Sequence, residues 1–214
     1  MTKSEFRSVC SKRLKSASPA TKTMRDARVR RTLDRVLSEL APRSVLAYWP
    51  MEFEADIRKT VAAARRRGKV YLPFMDGVSF KMVPLRLPLE RKAFGIYEPR
   101  DSYRKTDLID VAIVPAIGVD ASLGRIGFGK GMYDRFFPTL KARPFTIFIQ
   151  SCECLTNRFL CDDYDVRSDL LITPRGAYSM RKTHVERTTR RRRHCRRQRC
   201  SRLFNFEKDF RRPF

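Results

Sequence analysis

The stretch that decides the fold is a buried-strand pattern followed by a glycine-rich loop. The strand pattern reads Asp110-Val111-Ala112-Ile113-Val114-Pro115, and the loop reads Gly124-Arg125-Ile126-Gly127-Phe128-Gly129-Lys130-Gly131-Met132-Tyr133-Asp134. A short apolar run bounded by Asp and Pro predicts a strand that is buried in a sheet. In open α/β sheets, ligands bind beyond the carboxyl ends of the strands. We therefore expect the loop to lie at the ligand-binding edge of the sheet.

Strand and helix patterns alternate around this stretch. Further apolar runs of strand length occupy residues 44–49, 69–72, 145–149 and 169–173, and residues 56–67 have helical character up to Gly68. This alternation predicts an α/β fold with a three-layer, open, mostly parallel sheet flanked by helices. We expect a further helix over about 130–142 and take 169–173 as the last strand.

Local signals refine this fold. The first forty residues predict a basic N-terminal helical segment in two parts, 4–15 and 20–40, which end at Pro19 and Pro42. Asp76-Gly77 is typical of a hairpin turn, and residues 94–99 are expected to be extended because they lead into Pro99.

The basic charge lies mainly at the two ends of the chain. The formal net charge is +24; residues 181–214 contain 14 Lys/Arg and 3 Asp/Glu, and residues 1–43 contain 12 and 4. Seven arginines fall within 190–199, and such a run repels itself and stays hydrated. We expect one domain over 1–178 and a poorly ordered Arg-rich tail over 179–214. Arg clusters can bind nucleic-acid phosphate, so the tail is the one candidate segment for nucleic-acid binding, and an inert tail is the simpler alternative.

Composition also limits the location and the chemistry. The sequence contains no membrane-span pattern and no signal-peptide pattern, which predicts a cytoplasmic protein with its six cysteines as reduced thiols. The groups Cys152/Cys154/Cys161 and His194/Cys195/Cys200 lack the paired spacing of a structural zinc site. Both histidines lie in the tail. Histidine acid/base catalysis and a Ser-His-Asp triad are therefore disfavoured.

The glycine loop has the composition of a phosphate site. Glycines allow backbone N–H groups to approach an anion, and Arg125 and Lys130 supply positive charge. The loop departs from a P-loop at Gly131, where the metal-binding hydroxyl would stand. Lys130 is predicted to contact β/γ-phosphate oxygens, Arg125 to neutralise transition-state charge, and Asp134 to bind the metal. A surface turn with two cations, and a helix-start carboxylate at Asp134, are the simpler alternatives.

Other candidate residues lie earlier in the chain. Lys3 and Arg7 are four residues apart on a predicted helix and would clamp a polyphosphate from one face, although solvated basic helix faces are commoner. Glu54, or its rival Glu52, would accept hydrogen bonds from a nitrogen-rich ring. Tyr48 and Trp49 would stack on that ring or pack in the core.

These residues together resemble a known family. The arrangement of Asp110, Pro115, Val119-Asp120 and the loop 124–134 is similar to the signature of 5-formyltetrahydrofolate cyclo-ligases, also called methenyltetrahydrofolate synthetases. Further matches follow in order along residues 1–175: Lys3 and Arg7, Glu54-Ala55-Asp56, Leu72-Pro73, Gly95-Ile96-Tyr97-Glu98-Pro99, Gln150, and Asp165 with Asp169 before Leu171-Ile172-Thr173.

The resemblance implies conversion of 5-formyltetrahydrofolate, as mono- or polyglutamate, to 5,10-methenyltetrahydrofolate, with Mg²⁺ as cofactor and ATP as co-substrate. An iminium phosphate intermediate and release of ADP and phosphate are implied as well. The implied catalytic residues are Arg125 and Lys130, and the implied metal ligand is Asp134. The implied ATP-binding residues are Lys3, Arg7, Arg125, Ile126, Gly127, Phe128, Gly129, Lys130, Gly131, Met132 and Tyr133. The implied substrate-binding residues are Tyr48, Glu54, Phe128, Gly129, Lys130, Gly131 and Met132.

The match has departures and an alternative. Phe128, Met132 and Tyr164 replace residues that are more frequent in the family, which affects the pterin pocket more than the reaction. The alternative is an inactive cyclo-ligase-like domain whose Arg-rich tail binds nucleic acid. We expect a monomer that does not associate with membranes.

Overall fold

The computed structural model describes residues 1–92, 96–101 and 108–179. The helices are α1 (Lys3–Ser16), α2 (Lys22–Leu40), α3 (Arg58–Arg67) and α4 (Met132–Phe136). The strands are β1 (Ser44–Leu46), β2 (Lys69–Asp76), β3 (Ser79–Pro84), β4 (Glu90–Arg91), β5 (Tyr97–Glu98), β6 (Val111–Pro115), β7 (Gly118–Val119), β8 (Arg125–Ile126), β9 (Phe145–Ile149), β10 (Leu170–Thr173) and β11 (Gly176–Tyr178). The predicted tail from residue 180 onward and the predicted extended residues Phe94 and Gly95 lie outside the described residues.

A seven-stranded sheet forms the centre of the fold, in the order β11-β10-β9-β6-β1-β2-β3. The five strands from β10 to β2 are parallel, and β11 and β3 pair antiparallel at the two edges. The prediction of an open, mostly parallel sheet is confirmed. Short antiparallel pairs, β4 with β5 and β7 with β8, lie outside the main sheet.

Helices cover both faces of this sheet, which explains the continuous apolar strands. In β6, Val111 and Ile113 belong to the core cluster that includes Val29, Leu33 and Val36 of α2 and Val61 of α3. The alternate residues Ala112 and Val114 belong to the opposite cluster, with Tyr133 and Phe136 of α4. Because strand side chains alternate between faces, one apolar run supplies both cores.

Local sequence features set the element boundaries. α1 begins with a capping box, in which the Thr2 hydroxyl accepts the Glu5 N–H and the Glu5 carboxylate accepts the Thr2 N–H. α3 ends at Gly68, where an added Cβ would stand 2.5 Å from the Arg43 carbonyl oxygen. Gly77 turns the β2–β3 hairpin at φ +58°. The predicted hairpin and both N-terminal helices are confirmed.

Two secondary-structure predictions were wrong. The helix expected over 130–142 is shorter: α4 spans Met132–Phe136, and a single 3₁₀ turn, Phe137–Thr139, follows it. Gly129 and Gly131 have φ of +93° and +59°, so the chain becomes helical only after them, and Pro138 cannot donate a helical hydrogen bond. The strand ending at Thr173 is not the last one, because β11 folds back on β10.

The expectation of reduced thiols was wrong for one pair. Cys10 and Cys154 form a disulfide, with their Cα atoms 5.6 Å apart. Both are buried where α1 packs beside β7, next to Phe6 and Ile126. The pairing joins residues 144 positions apart, which local spacing could not indicate. Cys152 and Cys161 are free thiols.

Two further observations concern the described residues alone. No helix among them is long and apolar enough to cross a membrane. No group of three or more His, Cys, Asp or Glu side chains converges in a way that would hold a metal ion within residues 1–92, 96–101 and 108–179.

Candidate functional site

The glycine loop lies beyond the carboxyl end of β6, as predicted. β8 begins the loop and pairs with β7, and the Arg125 Nε donates a 2.9 Å hydrogen bond to the Pro115 carbonyl at the end of β6. The buried Asp120 carboxylate accepts backbone N–H bonds from Ser122, Gly124, Leu160 and Cys161. Burial alone would raise the pKa of Asp120, but its hydrogen bonds hold the pKa below the ordinary value. An ionised Asp120 therefore anchors the start of the loop.

The Arg125 guanidinium is held in one place by its surroundings. Its carbon lies 4.7 Å from the centre of the Tyr133 ring, a cation–π contact. A Cβ added at Gly127 would stand 2.5 Å from Arg125 Nη1, so the guanidinium fills the space that a larger residue would need. Arg125 thus presents a positioned charge without needing to rearrange.

Glu54 is a buried carboxylate near this guanidinium. It is 9% exposed, and its Oε2 accepts the Met51 N–H at 2.9 Å. Burial raises the pKa of Glu54 from 4.5 to about 7, although the Met51 hydrogen bond and the charges of Arg125 and Lys22 lower it. Glu52 is exposed. Of the two rival carboxylates, the structure brings Glu54 to the site.

A cleft brings these groups together. Its lining comprises Leu14, Phe53, Glu54, Ala55, Pro115, Ala116, Ile117, Arg125, Gly127, Phe128, Ile149, Ser151 and Cys152. Its enclosed part measures about 30 Å³, room for one or two water molecules. The half-exposed Phe128 meets Phe53 edge to face at its mouth, with ring centres 5.1 Å apart. A larger ligand must therefore extend into the open side of the cleft or displace these rings.

The sequence predicted only part of this lining. Glu54, Arg125, Gly127 and Phe128 were expected at the site. Phe53, Ser151 and Cys152 were not, because their approach depends on how the loops after β1 and β9 fold. The adjacency of Phe53 to Glu54 was the one available signal.

The N-terminal helix reaches the loop through Arg7. Its Nε donates a 2.9 Å hydrogen bond to the Gly127 carbonyl. Lys3 is engaged differently: its ammonium forms ion pairs with Asp165 and Asp162 and lies 5.5 Å from the centre of the Tyr164 ring. The predicted pair is thus on one helix, but only Arg7 contacts the glycine loop.

The remaining loop residues fall into exposed and buried sets. Phe128, Gly129 and Lys130 are exposed, and no partner is recorded for the Lys130 ammonium among the described residues. Ile126 and Tyr133 are buried, while Gly131 and Met132 are half-buried. The Arg135 side chain holds this part of the loop, because it donates to the carbonyls of Val78 and Lys130.

Three further predicted residues lie at or outside the edge of this cleft. Tyr48 is buried in the core, where its hydroxyl donates to the Ala55 carbonyl at 2.9 Å, so it supports the cleft instead of lining it. Trp49 lines a different groove. Asp134, the predicted metal ligand, stands in the first turn of α4, and its Oδ1 accepts the Val166 N–H at 3.1 Å.

Curated relatives with detectable similarity carry a common name. This chain is 33% identical over 92 residues to a 5-formyltetrahydrofolate cyclo-ligase of Mycolicibacterium smegmatis, a match covering 41% of this chain and 47% of that one. It is 26% identical over 106 residues to the Saccharomyces cerevisiae 5-formyltetrahydrofolate cyclo-ligase, covering 45% and 50%. The matched part spans about half the length of these relatives.

The fold and the sequence pattern agree with these matches. The solution structure of Aquifex aeolicus 5,10-methenyltetrahydrofolate synthetase superposes with a TM-score of 0.68 at 24% identity, covering 92% of this chain and all of that one. At this identity the superposition bears on the fold alone. The sequence pattern of one family matches residues 1–174, which include the glycine loop, Arg7 and Glu54. The chain therefore belongs to the 5-formyltetrahydrofolate cyclo-ligase family.

Proposed function

We propose that the protein converts 5-formyltetrahydrofolate to 5,10-methenyltetrahydrofolate and uses ATP and Mg²⁺ to do so. One observation carries the proposal: a buried carboxylate, Glu54, and a fixed guanidinium, Arg125, share the cleft beside the glycine loop. Such a site suits a reaction in which the protein positions two substrates and stabilises phosphoryl charge. Membership of the family supports the same reaction.

ATP would bind along the glycine loop. The left-handed backbone at Gly129 and Gly131 lets the chain curve around phosphate oxygens, and the exposed Lys130 ammonium is available to them. Arg7, already bonded to the Gly127 carbonyl, adds a second cation on the same side. Lys3 would act indirectly, by fastening α1 to the Asp162–Asp165 segment.

The residues present are compatible with a magnesium ion whose ligands come mainly from the substrate phosphates. Mg²⁺ is commonly bound by one or two carboxylates together with substrate phosphates and water. Asp134 supplies one carboxylate close to the loop, which agrees with the lack of a three-ligand cluster in the described part of the chain. When bound, the ion would neutralise phosphate charge.

The folate would lie in the cleft, with its reacting formyl group towards Arg125. Ionised Glu54 would accept hydrogen bonds from pterin N–H groups, and Phe53 and Phe128 would flank the ring. The formyl oxygen attacks the γ-phosphorus, and the bond to the ADP oxygen breaks, which gives an iminium phosphate and ADP. N10 then attacks the formyl carbon and loses its proton, and the carbon–oxygen bond breaks to release phosphate. Arg125 would stabilise the charge of the transferring phosphoryl group.

The proposal also takes a monomer as the acting species. The folate would be accepted as mono- or polyglutamate, since the proposed contacts involve the pterin and the formyl group.

The direct test is product formation by the purified full-length protein. With 5-formyltetrahydrofolate, ATP and Mg²⁺, we expect near-ultraviolet absorbance of methenyltetrahydrofolate to rise together with an equal amount of ADP. Removing ATP or chelating Mg²⁺ should stop both signals. The proposal fails if no methenyl product forms, or if the product forms equally well without ATP.

A further inference from the structure

A second groove on the surface of the fold has a lining distinct from that of the proposed active cleft. It is lined by Trp49, Ala62, Arg65, Arg66, Leu85 and Leu87, with Arg58 and Val61 completing it. We call it the arginine groove. Its volume of about 380 Å³ falls within the roughly 300–1,000 Å³ that is usual for small-molecule sites. It shares no lining residue with the active cleft.

The helices around the arginine groove are strongly cationic. α2 and α3 pack side by side, with contacts from Thr60 to Asp34 and from Arg67 to Ser38. Together they contain 11 Lys/Arg, nine of them Arg, and three acidic residues. The three acids are too few to offset this charge, and one of them, Asp26, is buried and paired with Lys22. The outer layer of this sheet face is therefore a cationic surface.

Several of these guanidinium groups are available to a ligand. Arg28, Arg31, Arg65 and Arg66 are exposed, and no carboxylate partner is recorded for them within the described residues. Arg58, by contrast, is held by Asp56 through two hydrogen bonds of 2.9 and 2.6 Å. Along α3, Arg58 and Arg65 stand about 10 Å apart at 1.5 Å per residue. The groove is thus bordered by cations along its length.

We propose that the arginine groove and the exposed faces of α2 and α3 bind single-stranded nucleic acid. Arginine prefers phosphate because its planar group donates two parallel hydrogen bonds. Trp49 is half-buried, packs against the core cluster that contains Val61 and Leu85, and lines the groove, so a base in the groove would stack on the part of the indole that the groove exposes. A cationic track with an aromatic platform is the usual combination in proteins that bind single strands without sequence preference.

The composition of the surface argues against a lipid membrane as the partner. Apart from Met24 near the start of α2, no large apolar side chain on α2 or α3 is among the exposed ones in the described chain. Peripheral membrane helices need such an apolar face to insert between headgroups. The apolar groups here lie inside the groove, where a base can reach them.

This surface is additional to the Arg-rich tail. Nucleic acid was expected only through residues 179–214, but the folded domain itself carries the groove and its cations. A test must therefore separate the groove from the tail in the full-length chain. The chain offers a local reporter, because Trp49 is its single tryptophan.

The experiment titrates the full-length protein with a fluorescein-labelled oligouridylate of about eight nucleotides. Label anisotropy reports all binding, and quenching of Trp49 fluorescence with the unlabelled oligonucleotide reports occupation of the groove. We expect both signals to share one midpoint. For three phosphate contacts, affinity should fall about 20-fold between 50 and 200 mM salt. An oligodeoxyuridylate tests whether ribose matters, and either sugar fits the proposal.

A matched pair of charge reversals locates the binding. Arg65→Glu/Arg66→Glu should weaken binding about tenfold or more and abolish the quenching. Lys12→Glu/Arg158→Glu makes the same charge change at exposed positions outside the groove and should stay within about twofold of wild type.

Four outcomes would overturn the proposal. The first two are a rise in label anisotropy without quenching of Trp49 fluorescence, and equal weakening of oligonucleotide binding by both double variants. The third is an affinity for a blunt duplex that equals the affinity for the single strand. The fourth is quenching of Trp49 by anionic phospholipid vesicles or poly-glutamate but not by the oligonucleotide. Methenyltetrahydrofolate formation, measured in parallel, should be unchanged in both double variants. Failure of this proposal would therefore leave the proposed enzymatic function untouched.

Discussion

Replacing Glu54 with Gln is expected to stabilise the fold at neutral and alkaline pH. Burial raises the pKa of Glu54 from 4.5 to about 7. A group with a raised folded-state pKa contributes stability that is fully present below about 4.5 and is lost as the pH rises through about 7. The difference of about 2.5 pH units corresponds to about 3 kcal/mol, because one unit is worth about 1.4 kcal/mol. Gln keeps an acceptor for the Met51 N–H but carries no charge to bury.

Urea unfolding measures this effect directly. Wild type and Glu54→Gln should have similar free energies of unfolding near pH 4.5. The variant should then become more stable by an amount that grows to about 3 kcal/mol at pH 8 and stays constant above it. Glu52→Gln is the matched control, because Glu52 is exposed, and it should follow wild type at every pH.

The same substitution should impair the proposed reaction. If ionised Glu54 holds the pterin, wild-type kcat/KM for the folate should rise with pH through about 7. The kcat/KM of Glu54→Gln should not show this rise. Loss of a charge-assisted hydrogen bond should cost roughly 10- to 100-fold in kcat/KM. A stability difference that does not vary with pH, or a variant less stable than wild type at pH 8, would refute the assignment of a buried, ionising Glu54.

Three further predictions concern the loop and the N-terminal helix. Lys130→Ala should raise the KM for ATP roughly tenfold without changing the melting temperature, and the exposed control Arg158→Ala should change neither quantity. An unchanged KM in Lys130→Ala would remove Lys130 from the ATP site. Gly127→Ala should displace the Arg125 guanidinium, which lies 2.5 Å from the added carbon, and lower kcat about a hundredfold; normal kcat would mean that the position of Arg125 does not matter. Reductant should lower the free energy of unfolding of wild type by roughly 2–5 kcal/mol, as measured in urea, but should not change that of Cys10→Ser/Cys154→Ser; equal sensitivity would contradict the cross-link.

Much of the fold followed from the sequence because it depends on local patterns. The apolar runs near Val45, Val111 and Phe145 are long enough for strands and too short for core helices, and turn or helix signals separate them. α2 carries Val29, Leu33 and Val36 at helical spacing. These patterns can be recognised in the sequence alone, because the periodicities of strands and helices extend over only a few residues.

The candidate site could be predicted only in part from such local patterns. The glycine loop, with Arg125 and Lys130, is contiguous, so a phosphate-binding role could be predicted for it from the sequence. The choice between Glu52 and Glu54 could not, since it depends on which carboxylate the chain buries after β1. The same holds for Tyr48, which faces the core, and for Lys3, whose ammonium forms an ion pair with Asp165.

The sequence by itself thus determined the alternation of strands and helices in the main sheet up to Thr173, the glycine-rich and cationic composition of the loop, and the basic charge of the ends. Only the tertiary structure decided the Cys10–Cys154 bond, the fixed Arg125 guanidinium over Tyr133 and the arginine groove beside Trp49. The physical reason is distance along the chain. Contacts between residues tens of positions apart depend on how the helices and loops pack on the sheet, and no sequence pattern within a single segment determines that packing.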